Sequence, residues 1–159
     1  MNSLPENYTP YEKLLAALAR NGVDFAVVGG MAITLNGFVR ATEDVVIIIS
    51  PKPENLRKLL DSLQQWGEGW SRELKPEDFA NEPGAVRLIE DFPLDMFVTM
   101  REKTIEDFRP RLRYLEASGV RIPYLAPEDL IFLKEGSWRE KDQFDVAAMR
   151  EIIAREGRK

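Results

Sequence analysis

Tyr11, Leu14, Leu15 and Leu18 recur at helical spacing, which predicts an amphipathic helix over residues 10–21. Asn21-Gly22 ends it, because glycine takes the left-handed geometry of a helix stop without steric cost. Residues 24–28 are a short apolar run, read as a buried strand that feeds a tight turn at Gly29-Gly30. A short helix over 31–36 follows, stopped by Gly37. The β-branched run at 43–49, bounded by Ser50-Pro51, predicts a strand. Leu56, Leu59, Leu60 and Leu63 mark a second amphipathic helix over 53–66, with Pro53 and Glu54 suited to its first turn.

Further along, residues 67–83 are rich in glycine, proline and charge, and read as loop with short strand pieces. Residues 85–89 and 94–100 pair as strands across Glu90-Asp91-Phe92-Pro93, a solvated turn. A second strand pair, 111–115 with 120–123, surrounds Ser118-Gly119. Helices are expected over 127–134, where Glu128 and Asp129 complement the positive end of the dipole, and over 139–155. The last residues, 157–159, are expected to fray. This order predicts an α+β domain, α/β-like, with a mixed β-sheet flanked by helices and closed by C-terminal helices. Residues 1–159 read as one domain, with a core over about 11–100 and a strand-and-helix part over about 104–155.

Composition narrows the chemistry. The 159 residues carry 44% apolar and 31% charged positions, an ordinary balance for a soluble protein. The net charge of −5 disfavours a surface devoted to nucleic acid. Neither histidine nor cysteine is present, so imidazole ligands, Ser-His triads, thiolates and disulfides are all excluded. Acid–base or metal chemistry falls to Asp, Glu, Lys and Tyr, whose oxygens suit hard cations such as Mg²⁺. The polar residues 1–10 lack the apolar stretch of a signal peptide, and the apolar run 45–49 is too short to span a bilayer. A cytoplasmic protein with no membrane partner is expected.

Three features bear on function. Backbone amides at Gly29-Gly30, ahead of a helix, can approach a phosphate closely, although the same dipeptide serves equally as a plain turn. Asp44 and Asp95 each sit in an otherwise apolar strand, and a buried carboxylate needs a partner or a cation. Two such residues on adjacent strands, downstream of the Gly-Gly turn, point to a divalent-metal site. Arg109, Arg111 and Arg113 alternate along an expected strand and share one face, either solvated or turned to an acidic surface or nucleic acid. Trp66, Trp70 and Trp138 are read as core or edge packing.

The stretch 27–32 (VVGGMA), then 37–44 (GFVRATED), resembles the nucleotidyltransferase superfamily, in particular the bacterial branch that includes the abortive-infection toxins. Residues 94–97 (LDMF) resemble the strand that bears its third carboxylate. Residues 125–134 (LAPEDLIFLK) and 139–145 (REKDQFD) look like its C-terminal helical motif. The resemblance spans about residues 11–155 and implies a nucleotidyltransferase fold. It implies that Gly29 and Gly30 hold a nucleoside triphosphate, and that Asp44 and Asp95 coordinate Mg²⁺. It makes Lys134 a phosphate contact, with Asp142 or Asp145 orienting it or the acceptor, and Arg40 and Thr42 further phosphate or metal-loop contacts.

One position departs from that pattern. The family carries Asp-hydrophobic-Asp where this chain has Asp44-Val45-Val46. Strand alternation puts 44 and 46 on one face and Glu43 on the other, so Glu43 does not replace the missing ligand. Metal assistance is worth several kcal/mol, so losing a shared ligand lowers turnover by roughly a thousandfold or more. The resemblance therefore implies transfer of a nucleotide from NTP-Mg to a protein, RNA or small-molecule acceptor, impaired at Val46. The alternative is a catalytically degenerate nucleotide- or protein-binding module, of the kind found in a toxin–antitoxin-like system.

Overall fold

The first apolar stripe becomes helix α1 (Thr9–Arg20) in a computed structural model of the chain, which describes residues 9–80 and 84–157. Its leucines at 14, 15 and 18 are buried, as the helical spacing requires. Strand β1 (Phe25–Val28) is buried throughout and runs directly into helix α2 (Gly29–Leu35). The Gly-Gly pair is thus the first turn of the helix, not a turn ahead of it. Strand β2 (Val45–Ile49) and helix α3 (Pro53–Leu63) follow the predicted pattern with trimmed ends. Asp44, expected inside the strand, lies in the bend one residue before β2.

Strands β3 (Val86–Ile89) and β4 (Pro93–Phe97) form a hairpin. A short helix α4 (Ile105–Phe108) then precedes the hairpin of β5 (Arg113–Ala117) and β6 (Val120–Tyr124). Helices α5 (Pro127–Lys134) and α6 (Glu140–Gly157) complete the chain. The six strands form one mixed sheet in the order β3-β4-β2-β1-β6-β5. Its centre joins β1 to β2 antiparallel, β2 to β4 parallel and β1 to β6 parallel. Helix α1 packs on α3 and β6, while α5 packs on α2 and α6. Asn36, just past α2, donates to the Leu125 carbonyl at 3.0 Å and ties the core to the start of α5. No described helix is long and apolar enough to cross a membrane.

Several expectations are corrected. Residues 70–73 and 76–79 wind as 3-10 turns and no described residue of 67–80 is a strand; residues 81–83 lie outside the described residues. Helix α4 was not anticipated, although Thr104 and Asp107 cap it reciprocally. The following 3-10 turn at Arg109–Arg111 delays β5 to Arg113, so the three arginines share no strand face. Each meets its own carboxylates: Arg109 pairs with Asp24 and Glu106, Arg111 with Asp129, and Arg113 with Glu156. Of the tryptophans, Trp66 packs against Phe92, but Trp70 is exposed and Trp138 is 88% exposed. Glu90 is no idle turn residue: its carboxylate accepts the Glu68 and Trp70 amides at 2.9 and 2.8 Å.

Candidate functional site

Sheet register builds the first half of the site. Val46 of β2 stands level with Val28 of β1 on one side and with Asp95 of β4 on the other. Arg87 of β3 stands level with Asp95 from the far side. One row across the sheet therefore reads Val28, Val46, Asp95, Arg87, all on one face because level residues share a face. Asp44 lies two positions before Val46, in the bend that leads into β2 and outside its paired register.

The Arg87 guanidinium grips Asp95 with both ends, Nε to Oδ1 at 2.7 Å and Nη2 to Oδ2 at 2.9 Å. The hydrogen bond to Asp95 and then that residue's charge raise the arginine's pKa above the ordinary value, against an opposing effect of burial; the Asp44 charge raises it further. Arg87 thus lies within the field of both carboxylates that the family pattern assigns to metal.

Gly29 and Gly30 make the second half. Gly29 has φ of +67°, and a Cβ there would fall 3.1 Å from Cγ2 of Val46. The valine packs against the bare glycine, filling space beside it. A Cβ on Gly30 would fall 2.9 Å from Thr42 Oγ1 and 3.0 Å from the Arg40 guanidinium carbon. The structure therefore brings Gly29, Gly30, Arg40, Thr42 and Val46 together. Gly29→Ala is expected to cost about 2 kcal/mol, from left-handed strain plus overpacking on Val46. In a Val46→Ala background the overpacking part should vanish. Urea melts of the four proteins check this; an undiminished cost in the double variant would place the strain in the backbone alone.

Arg40 reaches across to the C-terminal helices. Its Nε lies 2.8 Å from Asp145 Oδ1 and its Nη2 donates to Oδ2 at 3.0 Å. Lys134 donates to the same Asp145 Oδ2 at 2.8 Å and lies 3.3 Å from Asp142 Oδ1. Asp145 is 1% exposed, so two cations hold a carboxylate sealed from water. Burial works to raise the Asp142 pKa, but the Ser137 hydroxyl at 2.8 Å and the Lys134 charge outweigh it and hold the group below the ordinary carboxylate range. Lys134 is therefore no lone phosphate contact. It is positioned by both Asp142 and Asp145.

The donor set can be tested against the metal that the fold implies. Asp95 has both oxygens hydrogen-bonded to Arg87, Asp44 lies in the bend two positions before Val46, and Val46 puts an apolar side chain level with Asp95. Among the described residues no three acidic side chains gather to hold an ion. These residues do not fit a divalent cation. Charge points the same way: Arg40 and Lys134 face Asp142 and Asp145, and Arg87 faces Asp95 with Asp44 near. The positive charges are matched by carboxylates of the chain itself.

Arg87 is the residue that sequence reasoning missed. The signal was present in the hairpin: with Ile89 level with Pro93 across the turn, counting back puts Arg87 opposite Asp95. The Arg40–Asp145 pair joins residues 105 apart, and no local pattern announces it.

The architecture has solved counterparts. A lincosamide antibiotic adenylyltransferase, LnuA, crystallised with lincomycin bound, superposes with a TM-score of 0.61 at 17% identity, covering 95% of this chain and 99% of that one. ANT(2")-Ia in complex with adenylyl-2"-tobramycin gives 0.59 at 15% identity, covering 96% and 92%. An antigenic nucleotidyltransferase-like protein from Paracoccidioides brasiliensis gives 0.57 at 21% identity, covering 93% and 77%. These likenesses establish the nucleotidyltransferase fold. No curated protein matches the chain in sequence. A family model described as a nucleotidyltransferase of unknown function (DUF6036) matches residues 11–155, and the chain belongs to that family.

Proposed function

We propose that this chain is a nucleotide-binding member of the fold that does not carry out metal-dependent nucleotidyl transfer. The observation that carries this reading is Val46, level with Asp95 and packed on Gly29 where a metal-linked phosphate would lie. In this reading Gly30, Thr42 and Arg40 receive a phosphate, and Lys134 lends its charge from behind Asp145. Three of the carboxylates here are already committed: Asp95 is bound to Arg87, and Asp142 and Asp145 are bound to Lys134. LnuA was crystallised with lincomycin and ANT(2")-Ia with adenylyl-2"-tobramycin; a small-molecule acceptor belongs to the competing reading, in which Asp44 and Asp95 keep slow transfer alive.

Thermal melting with ATP, CTP, GTP and UTP, in Mg²⁺ and in EDTA, separates the readings. One nucleotide should stabilise the protein equally in both conditions, by about 2.7 kcal/mol at a hundredfold excess over Kd. Label from the same nucleotide should reach neither the protein nor added RNA or aminoglycoside. Mg²⁺-dependent label transfer would overturn the proposal in favour of an enzyme.

A protein-binding role has its own observation. Val39 and Phe144 are 70% and 62% exposed, and they adjoin in sequence Arg40 and Asp145, which are paired with each other. Exposed apolar side chains next to an ion-paired Arg40 and Asp145 suit a protein partner better than a triphosphate. Absence of any nucleotide shift would favour this reading. It is also where the sequence resemblance to the abortive-infection branch, and a toxin–antitoxin-like pairing, would enter.

A further inference from the structure

The fold's metal position carries a cation of a different kind. Asp95 presents both oxygens along the sheet to Arg87, at 2.7 and 2.9 Å, and Asp44 acts on the same guanidinium through its charge. Val46 closes the opposite side of Asp95. A planar guanidinium suits this place, because its parallel N–H groups match the two carboxylate oxygens. A divalent ion would need Asp95 to turn away from Arg87, leaving that arginine facing a second positive charge.

We infer that Arg87 is the resident cation of this site, neutralising Asp95 in place of a divalent ion and excluding one. The inference rests on the metal-independent reading above, but it adds a distinct claim. Val46 alone is not what keeps metal out. Restoring an acidic residue at 46 leaves Asp95 still held by Arg87, so that change alone admits no ion; freeing Asp95 admits one weakly, and both changes together admit one tightly.

The test uses Mn²⁺ alone as probe, followed by its electron paramagnetic resonance signal, with circular dichroism to check folding. Wild type and Val46→Asp should leave the free Mn²⁺ signal unchanged. Val46→Asp/Arg87→Met should bind Mn²⁺ saturably, at least about tenfold tighter than Val46→Asp. Because the double variant could fail to fold, Arg87→Met alone supplies a second arm: Mn²⁺ should raise its Tm and leave that of wild type unchanged. Val46→Asp binding as tightly as the double variant would overturn the role of Arg87. So would a failure of Mn²⁺ to raise the Tm of Arg87→Met. Wild type binding Mn²⁺ through Asp95, shown by its loss in Asp95→Asn, would overturn this inference and the metal-independent reading together. Nucleotide transfer without such binding would overturn only the latter.

Discussion

Asp145→Asn is expected to lower stability by about 3–5 kcal/mol, the cost of breaking a buried ion pair by removing one partner's charge. The carboxylate is sealed from water and meets both Arg40 and Lys134, each itself only 15% exposed at the side chain. Its neutral replacement keeps the shape but leaves two cations facing each other with Asp142 as their remaining counter-charge nearby. In a protein of this size each kcal/mol moves Tm by about 2–4 °C, so a fall of roughly 10 °C is expected in a thermal melt. Arg155→Ala on the same helix is the control. Its pair with Glu151 is exposed, and its loss should cost under about 1 kcal/mol. Equal small effects from both variants would show that the network does not hold α6 to the core. The consequence for the site is direct, because Arg40 cannot lie over Gly30 without its anchor on α6.

The elements were legible where one physical signal dominated. Leucines at helical spacing gave α1 and α3, and the β-branched run gave β2, because each buries one continuous apolar surface. Strand alternation predicts Asp44 and Val46 on one face, but Asp44 lies in the bend before β2, and the register joins only Val46 to Asp95. What stayed hidden depended on partners far away in sequence. Arg111 read as one of a basic stripe until Asp129 was seen beside it. The partners of Lys134 were legible only through the family resemblance, which names Asp142 or Asp145; both pair with it, from the first and second turns of α6. Arg87 is the instructive case. It lies in an ordinary exposed position of an edge strand, and only its register against Asp95 gives it meaning. A metal-site argument from carboxylates alone missed the side chain that neutralises them.

Asn55→Ala is the second large effect, expected to cost about 3 kcal/mol, because it takes the side-chain partner from the half-buried Asp24 amide and the buried Ser50 carbonyl at once. The Asn55 side chain accepts the Asp24 amide at 2.7 Å and donates to the Asp24 and Ser50 carbonyls at 3.0 and 2.9 Å. It thus fastens the entrance of β1 to the exit of β2 from the first turn of α3. Those two strands run antiparallel, with Phe25 level with Ile49 at the fastened end and Val28 level with Val46 at the other. A one-residue slip would turn every β2 side chain to the opposite face and carry Val46 away from Asp95 and Gly29. Asn55 therefore fixes, from the far end of the strands, the register on which the candidate site depends. Asn55→Asp separates the contributions. It keeps an acceptor for the Asp24 amide but loses both donors and sets a negative charge against two carbonyl oxygens. Denaturant unfolding should show it at least as damaging as Asn55→Ala. If the aspartate variant proves the more stable of the two, the Asp24 amide is the bond that matters, and the link to Ser50, and with it this account of the register, is wrong.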